Sequence, residues 1–429
     1  MKPRFPYGWL CFLLLIACLF TAIIFGGGQP TPNLARLESI VDLLEKHPIR
    51  FWQQRPLLDA TFAGATVRTD ADGFRLAPSE PAGAFTVITL GASPTFGYGV
   101  EAEQTYAKVA EQMLRADDNN LRVINAGQIG YSSWQGLRLA EQYLPIWQPN
   151  LVTVSYVVND IDRLRFFYSN GVDDAHTQPA GETKTALDNF FLRCRLTSFL
   201  QKRLRRTLTR LGGDRVYRGS YELTHKRVSA DDYRANLLAF VELCRRHNTK
   251  LVLIKMPLRL PEPVPPAPED AAAALDNAAT LLAEKRFAEA KKAIDAVIAA
   301  DSYASESYYL KGLALAGLDR EDEANDLFKQ AMQHLLYDCA RDAARYNEIM
   351  QSVSLETQTP LINAAGSLGD EHGANVALFV KDDYIHPNAD GHRLIGRCLA
   401  RAIQKTRASD SGWFVERCSE TQPKKLNPI

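Results

Sequence analysis

Three short apolar, β-branched runs, residues 85–90, 121–124 and 151–157, each stop at a loop of small or amide-bearing residues, and this regularity narrows the possible folds most. Runs of this length and composition read as buried strands. The first ends at Gly91 and passes Ser93 before a helical pattern over 105–114. The second runs into Asn125-Ala126-Gly127-Gln128-Ile129-Gly130-Tyr131-Ser132, and the third into Val158-Asn159-Asp160. Strands interleaved with helical segments predict an open α/β sheet. Ligands of such sheets bind beyond the carboxyl ends of the strands, so the three loops mark one candidate site on one sheet edge.

Near the other end of the chain, Asp383 and His386 form a D-x-x-H in DDYIHPNADGH. A serine hydroxyl is a weak nucleophile until a base takes its proton. That base must be held in the right tautomer by an acceptor on its far nitrogen. The two-residue gap lets one tight turn supply both base and orienter, with Pro387 and Gly391 just behind it. About 290 positions separate Ser93 from this pair, so only the fold can join them. Glycine and amide loops at neighbouring strand ends are the kind that supply oxyanion donors. Each signal alone has an ordinary reading: a helix cap for Ser93, an Asx turn for Asn159-Asp160, a surface turn for D-x-x-H. Taken together and in order, they predict nucleophilic acyl chemistry. His392 reads as structural. His47, His176, His225, His247, His334 and His372 lack metal-ligand spacing; neither a metal nor a cofactor is expected.

These stretches resemble the block motifs of the SGNH/GDSL family of serine esterases and acyltransferases. Ser93 stands at the family's nucleophile, in Gly91-Ala92-Ser93; Gly130 and Asn159 match its oxyanion-hole positions; Asp383 and His386 match its last block, with Pro387, Asn388 and Gly391-His392 following. TFGYGV after the serine and Asp72-Gly73-Phe74-Arg75 before the first strand resemble its bacterial members. The resemblance implies a three-layer, flavodoxin-like parallel-sheet fold. It also implies a Ser93–His386–Asp383 triad, with the oxyanion held by the backbone N–H groups of Ser93 and Gly130 and the Asn159 amide. The implied substrate is an ester, with members found beside surface polysaccharides pointing to an O-acetylated glycan. An acetyl transfer onto a glycan is the alternative, and a weakly active scaffold is another. Two positions depart from the pattern: Ala92 replaces the usual aspartate, which helps shape the nucleophile turn, and Val157 replaces a glycine.

Lys2 and Arg4 precede an apolar run over residues 9–25, then Gly26-Gly27-Gly28. The run is just long enough to span a bilayer, and the preceding positive charge keeps the N-terminus cytoplasmic. A cleaved signal peptide, or a lipidated Cys18 in Leu15-Ile16-Ala17-Cys18, would place the body in the same compartment. The expectation is a single-pass bacterial inner-membrane protein whose catalytic part faces the periplasm. Lys+Arg and Asp+Glu balance at 50 each, so no global field favours nucleic acid. Of the cysteines beyond the run (Cys194, Cys244, Cys339, Cys398 and Cys418), Cys398 and Cys418 flank the last helix and form the expected disulfide; five buried apolar thiols are the alternative.

After a fourth apolar run, 251–255, the proline-rich PEPVPPAPED leads into a helical segment with an internal period. Ala278 and Gly312, Leu281 and Leu315, Ala290 and Ala324, and Ile294 and Phe328 each lie 34 apart. This spacing resembles tetratricopeptide repeats, although a single helical hairpin gives similar apolar spacing. A module of this size must pack on the main body, where it could bind a protein partner or gate the site. Residues 190–211 interleave arginine and lysine with leucine at helical spacing, either as an interfacial helix or as a cover for the sheet. The expected layout is an anchor or signal segment (1–28), a membrane-proximal helical region (29–64), a hydrolase domain in two parts (65–260 and 336–406) around a helical insertion (261–335), and a C-terminal tail (407–429).

Overall fold

The computed structural model describes residues 35–36, 40–75, 85–116, 119–162, 173–193, 226–256, 258, 265, 267–268, 270–370, 373–374, 376–381, 383, 385–408 and 412–418. The apolar run 9–25, most of the basic segment 190–211 and most of the proline-rich linker lie outside the described residues. Among the described residues no helix is long and apolar enough to cross a membrane.

From residue 40 the chain forms a short 3-10 turn and then four strands, β1 (Leu44–His47), β2 (Phe51–Gln54), β3 (Asp59–Phe62) and β4 (Ala65–Arg68), paired as two antiparallel hairpins. The helical region expected over 29–64 is therefore corrected: beyond the 3-10 turn, its described elements are strands. Left-handed backbone at Phe51 (φ 68°), Leu57 (52°) and Ala63 (50°) interrupts any helix there. Tertiary contact also decides the outcome. Phe51 and Trp52 are fully buried, and Phe51 stacks on Trp134 with ring centroids 5.1 Å apart. The segment is a strap across the body rather than a spacer before it.

The body holds one parallel sheet built from β5 (Phe85–Gly91), β6 (Leu121–Asn125), β7 (Leu151–Ser155), β8 (Lys250–Lys255), β9 (Leu361–Asn363) and β10 (Val415–Arg417). Its spatial order is β6-β5-β7-β8-β9-β10, and every neighbouring pair is parallel. β10 lies within the expected tail. Pairing with β9 and a disulfide between Cys398 and Cys418, whose Cα atoms are 5.4 Å apart, bring this part of the tail onto the sheet. Along the strands, Ile88, Leu90, Val152, Val154, Leu251 and Leu253 enter one apolar cluster, while Val87, Val123, Val252 and Ile254 enter another. That is the period-two alternation of a sheet covered on both faces.

Ser93–Phe96 forms a short helix, α1, directly after β5. α2 (Tyr106–Arg115) starts at Thr105, whose hydroxyl caps the Lys108 N–H. α3 (Ser133–Trp147) starts with a reciprocal Ser132–Gln135 capping box. The chain then gives α4 (Val158–Ile161), α5 (Glu182–Arg193), α6 (Ala230–Arg246) and three insertion helices, α7 (Ala271–Ala283), α8 (Phe287–Ala300) and α9 (Ser305–Gly317), before α10 (Glu321–Thr357) and α11 (Ala389–Ala408). Residues of α2 and α11 share the cluster on one sheet face, and those of α3, α6 and the later part of α10 share that on the other. The strand order reverses between β5 and β7, the switch point where such folds place their ligands.

In the insertion, Ala278, Leu281, Ala290, Ile294, Leu315, Ala324 and Phe328 lie in one apolar cluster. Gly312 meets Phe328 so closely that a Cβ would come 2.5 Å from its ring. The boundary expected at 335/336 falls inside the unbroken 37-residue α10, roughly 55 Å long at 1.5 Å per residue. Phe328 and Ala331 pack in the insertion's cluster, whereas Tyr346, Met350 and Val353 pack in that of the sheet. One rigid helix thus belongs to both units.

Candidate active site

The β5–α1 turn fixes Ser93 at the first position of α1, and the residue is 9% exposed. Its carbonyl accepts the N–H groups of Gly97 (3.0 Å) and Tyr98 (3.1 Å), which closes the turn. Gly97 sits at φ 87°, backbone that favours glycine. The loops after β5 and β6 are locked together. Asn125 Nδ2 donates to Thr95 O at 2.9 Å, and its Oδ1 accepts Gly127 N at 3.0 Å. Arg75, buried, donates through Nη1 to Phe96 O at 2.9 Å and also to Gly97 O.

Asp383 and His386 sit in a turn before α11. Asp383 Oδ1 accepts the backbone N–H of Ile385 (2.8 Å) and His386 (2.9 Å), and Oδ2 lies 2.7 Å from His386 Nδ1. On its other side His386 Nε2 is 2.8 Å from Ser93 Oγ. The three side chains expected from the sequence are brought into one hydrogen-bonded chain. Burial alone would lift the Asp383 carboxyl, but the hydrogen bond and charge of His386, joined by the two backbone N–H groups, hold it at about 2. Asn388 secures the turn from behind, donating to Ala377 O at 2.7 Å while accepting the Asp390 and Gly391 N–H groups. His392 is fully buried, accepts the Tyr106 N–H at Nδ1, and stacks on that ring.

Gly130, at φ 76°, and Asn159, in α4, stand on the next two strand-end loops. They meet through Tyr131, whose carbonyl accepts Asn159 Nδ2 at 3.1 Å. An amide has two hydrogens, so holding one sets the direction of the other. Val157 lies at φ −160° and ψ −57°, outside the left-handed region that favours glycine. Next to Asn159, Asp160 is fully buried and accepts Ser133 N at 2.8 Å. Burial pushes its carboxyl up to about 7 against the opposing Ser133 bonds.

Several residues at the site were not singled out from the linear chain. Tyr98 stacks on the His386 imidazole with centroids 4.2 Å apart and planes at 26°. Arg227 and Asp174 form a buried ion pair at 3.0 Å. Arg227 Nη1 also donates to Gly130 O at 2.6 Å, and Ser132 Oγ donates to Asp174 at 2.6 Å. Trp52 Nε1 donates to Ile129 O at 3.0 Å. For Tyr98 the nearness of Ser93 in sequence was a usable clue. Arg227 and Trp52 lie far from the loop they hold, and nothing local marks them.

No protein-family profile matches the chain, and no curated protein matches it. Solved structures do. An esterase from Pseudoalteromonas sp. is 14% identical, covering 76% of this chain and 99% of its own, with a TM-score of 0.36. A GDSL-like lipase from Bacteroides thetaiotaomicron is 12% identical, covering 75% and 88%, with a TM-score of 0.36. An acetylxylan esterase from Geobacillus stearothermophilus, as a catalytic mutant, is 13% identical, covering 76% and 96%, with a TM-score of 0.35.

Proposed function

We propose that the protein is a serine esterase working through an acyl-enzyme. The observation that carries this reading is the unbroken chain from Ser93 Oγ to His386 at 2.8 Å and from His386 to Asp383 at 2.7 Å. His386 Nε2 takes the hydroxyl proton as Ser93 Oγ attacks the ester carbonyl, and Asp383 steadies the imidazolium. The oxyanion is received by the N–H groups of Ser93 and Gly130 and by the Asn159 amide. Collapse breaks the ester C–O bond, and the leaving alcohol takes the proton from His386. Water then attacks the acyl-enzyme with His386 as base, and the acid and free Ser93 are released.

The resemblance to bacterial SGNH members supports an O-acetyl group on an envelope glycan as the substrate. The apolar run 9–25 behind Lys2 and Arg4 supports a membrane anchor with the body on the periplasmic side. The helical insertion, tetratricopeptide-like in its 34-residue spacing, is the part offered to a protein partner.

The test is release of p-nitrophenol from p-nitrophenyl acetate by the full chain and by Ser93→Ala. Turnover lost in the variant supports the reading, and equal background in both overturns it. Repeating the assay with a glycan acceptor separates free acetate, the esterase product, from acetylated glycan, the transferase product.

A further inference from the structure

We propose that Trp52 is a positioning residue for the Gly130 N–H, acting through the Ile129–Gly130 peptide; this rests on the esterase reading above. A peptide is planar, with its C=O and N–H pointing in opposite directions. Whatever fixes the Ile129 carbonyl therefore aims the Gly130 N–H. The donor that fixes it is the Trp52 indole, 3.0 Å from Ile129 O, with Trp52 fully buried and Ile129 1% exposed. A hydrogen bond to the carbonyl also polarises the amide and makes its N–H a stronger donor.

The indole is itself tightly held. Trp52 pairs with Lys46 across β1 and β2, its carbonyl accepts Tyr131 Oη at 2.6 Å, and the Arg227 guanidinium lies 5.1 Å from its ring centroid. Ties to the same strap continue along the loop. Gln54 Nε2 donates to Gly127 O at 3.4 Å, and Gln135 Nε2 donates to Arg50 O at 2.7 Å. A loop turning through a left-handed glycine has little stiffness of its own. The strap supplies it from outside, and Trp52 touches the peptide that matters. It is thus the β strap, lying outside the residues that carry the family resemblance, that sets the strength of the oxyanion donor.

The test substitutes the full chain at position 52 in two ways. Trp52→Phe removes the N–H and shrinks the ring, while incorporation of 3-benzothienylalanine keeps the shape and removes only the donor. Turnover of p-nitrophenyl acetate is measured, with inhibition by a trifluoromethyl ketone as a tetrahedral mimic. Losing an oxyanion donor outright costs roughly 10²–10³ in kcat, so mis-aiming one should cost about tenfold. The expected result in the benzothienyl variant is that loss in kcat, KM within about twofold, and ketone affinity weakened as much as kcat, with an unchanged melting curve. Wild-type kcat in that variant, or a loss confined to KM, would overturn the proposal by showing that the indole only fills space. Absence of Ser93-dependent turnover in the unsubstituted chain would overturn the esterase reading itself, and the proposal with it.

Discussion

On the proposed mechanism, Asp383→Asn separates what this carboxylate does for chemistry from what it does for the fold. In the native turn Oδ1 accepts two backbone N–H groups, at 2.8 and 2.9 Å, while Oδ2 faces His386 Nδ1 at 2.7 Å. Asparagine offers one oxygen and one NH₂. With its oxygen toward the backbone it keeps two bonds; reversed, it keeps one and sets NH₂ against two donors. At about 1 kcal/mol per ordinary hydrogen bond the first orientation prevails. The NH₂ then faces Nδ1, which can accept only in the tautomer carrying its hydrogen on Nε2. That nitrogen, 2.8 Å from Ser93 Oγ, would donate to the hydroxyl instead of taking its proton. The wrong tautomer costs roughly 10⁴ in kcat, or about 5 kcal/mol at 1.36 per tenfold.

Stability should change far less. The fall of the Asp383 pKa from 3.8 to about 2 corresponds to at most about 2 kcal/mol, and solvent screening of this partly exposed pair reduces it to about 1. A depressed carboxyl pKa contributes stability above its unfolded value and loses it as pH falls through the folded one. The stability gap between wild type and variant is therefore present at pH 7 and closes as pH falls from 3.8 toward 2. Stopped-flow hydrolysis of p-nitrophenyl acetate at pH 7, with thermal melts at pH 7 and 3, measures both. An Asp383→Asn protein within tenfold of wild-type kcat would refute the tautomer argument. Collapse of the melting temperature beside the lost activity would refute the separation of roles.

Tyr98→Leu removes the π face stacked on His386, which stabilises the imidazolium formed during attack; kcat should fall about 3- to 10-fold while Tyr98→Phe stays near wild type, and equal kcat in both would refute the stacking role. Gly127→Ala places a Cβ 2.2 Å from Phe96 N, a collision with backbone that must displace the nucleophile turn. About 2–3 kcal/mol of lost stability is expected, read as a lower urea midpoint. Asp160, lifted by burial to about 7, favours the folded state fully below pH 3.8 and loses that contribution as pH rises through 7. Urea midpoints of the wild type should therefore decline from pH 4.5 to 7.5 relative to Asp160→Asn, and parallel curves would show the carboxyl ionises without cost.

The central strands are legible because a sheet covered on both faces needs unbroken apolar runs, and 85–91, 121–125 and 151–155 supply them. The Ser93–His386–Asp383 hydrogen-bonded chain is legible because Ser93 follows a strand end and Asp383 and His386 share one D-x-x-H turn. The strap is not, because Phe51 and Trp52 find their partners in Trp134 and Ile129, about 80 positions away. With those partners unseen, a short aromatic and amide-rich stretch does not declare which face it buries. The same separation hides Arg227, which reaches Gly130 across 97 positions. β10 has three residues, too few for any period, and is held by pairing with β9, the disulfide and the Arg401 and Lys405 ion pairs to Glu416.

At Ala92, where the SGNH/GDSL pattern that the sequence resembles has aspartate, the Ser93 turn is held by other groups. Ala92 is 4% exposed and belongs to the same apolar cluster as Phe96 and Ile129, so a carboxylate there would be buried among apolar groups. The turn's carbonyls are met from other directions. Asn125 takes Thr95 O, and Arg75 takes Phe96 O, Gly97 O and Val100 O while lying 4.8 Å over the Phe96 ring. Burial draws the Arg75 pKa down to about 10, so the guanidinium remains charged at neutral pH and its hydrogen bonds stay strong. Gly91 leaves room for the close approach of Thr95, since a Cβ there would fall 1.9 Å from Thr95 Oγ1. With each of these fixed, Ser93 Oγ keeps its 2.8 Å approach to His386 with no acid beside it. The Ser93 turn is supported from outside, by Arg75, which belongs to the connection between the strap and the sheet.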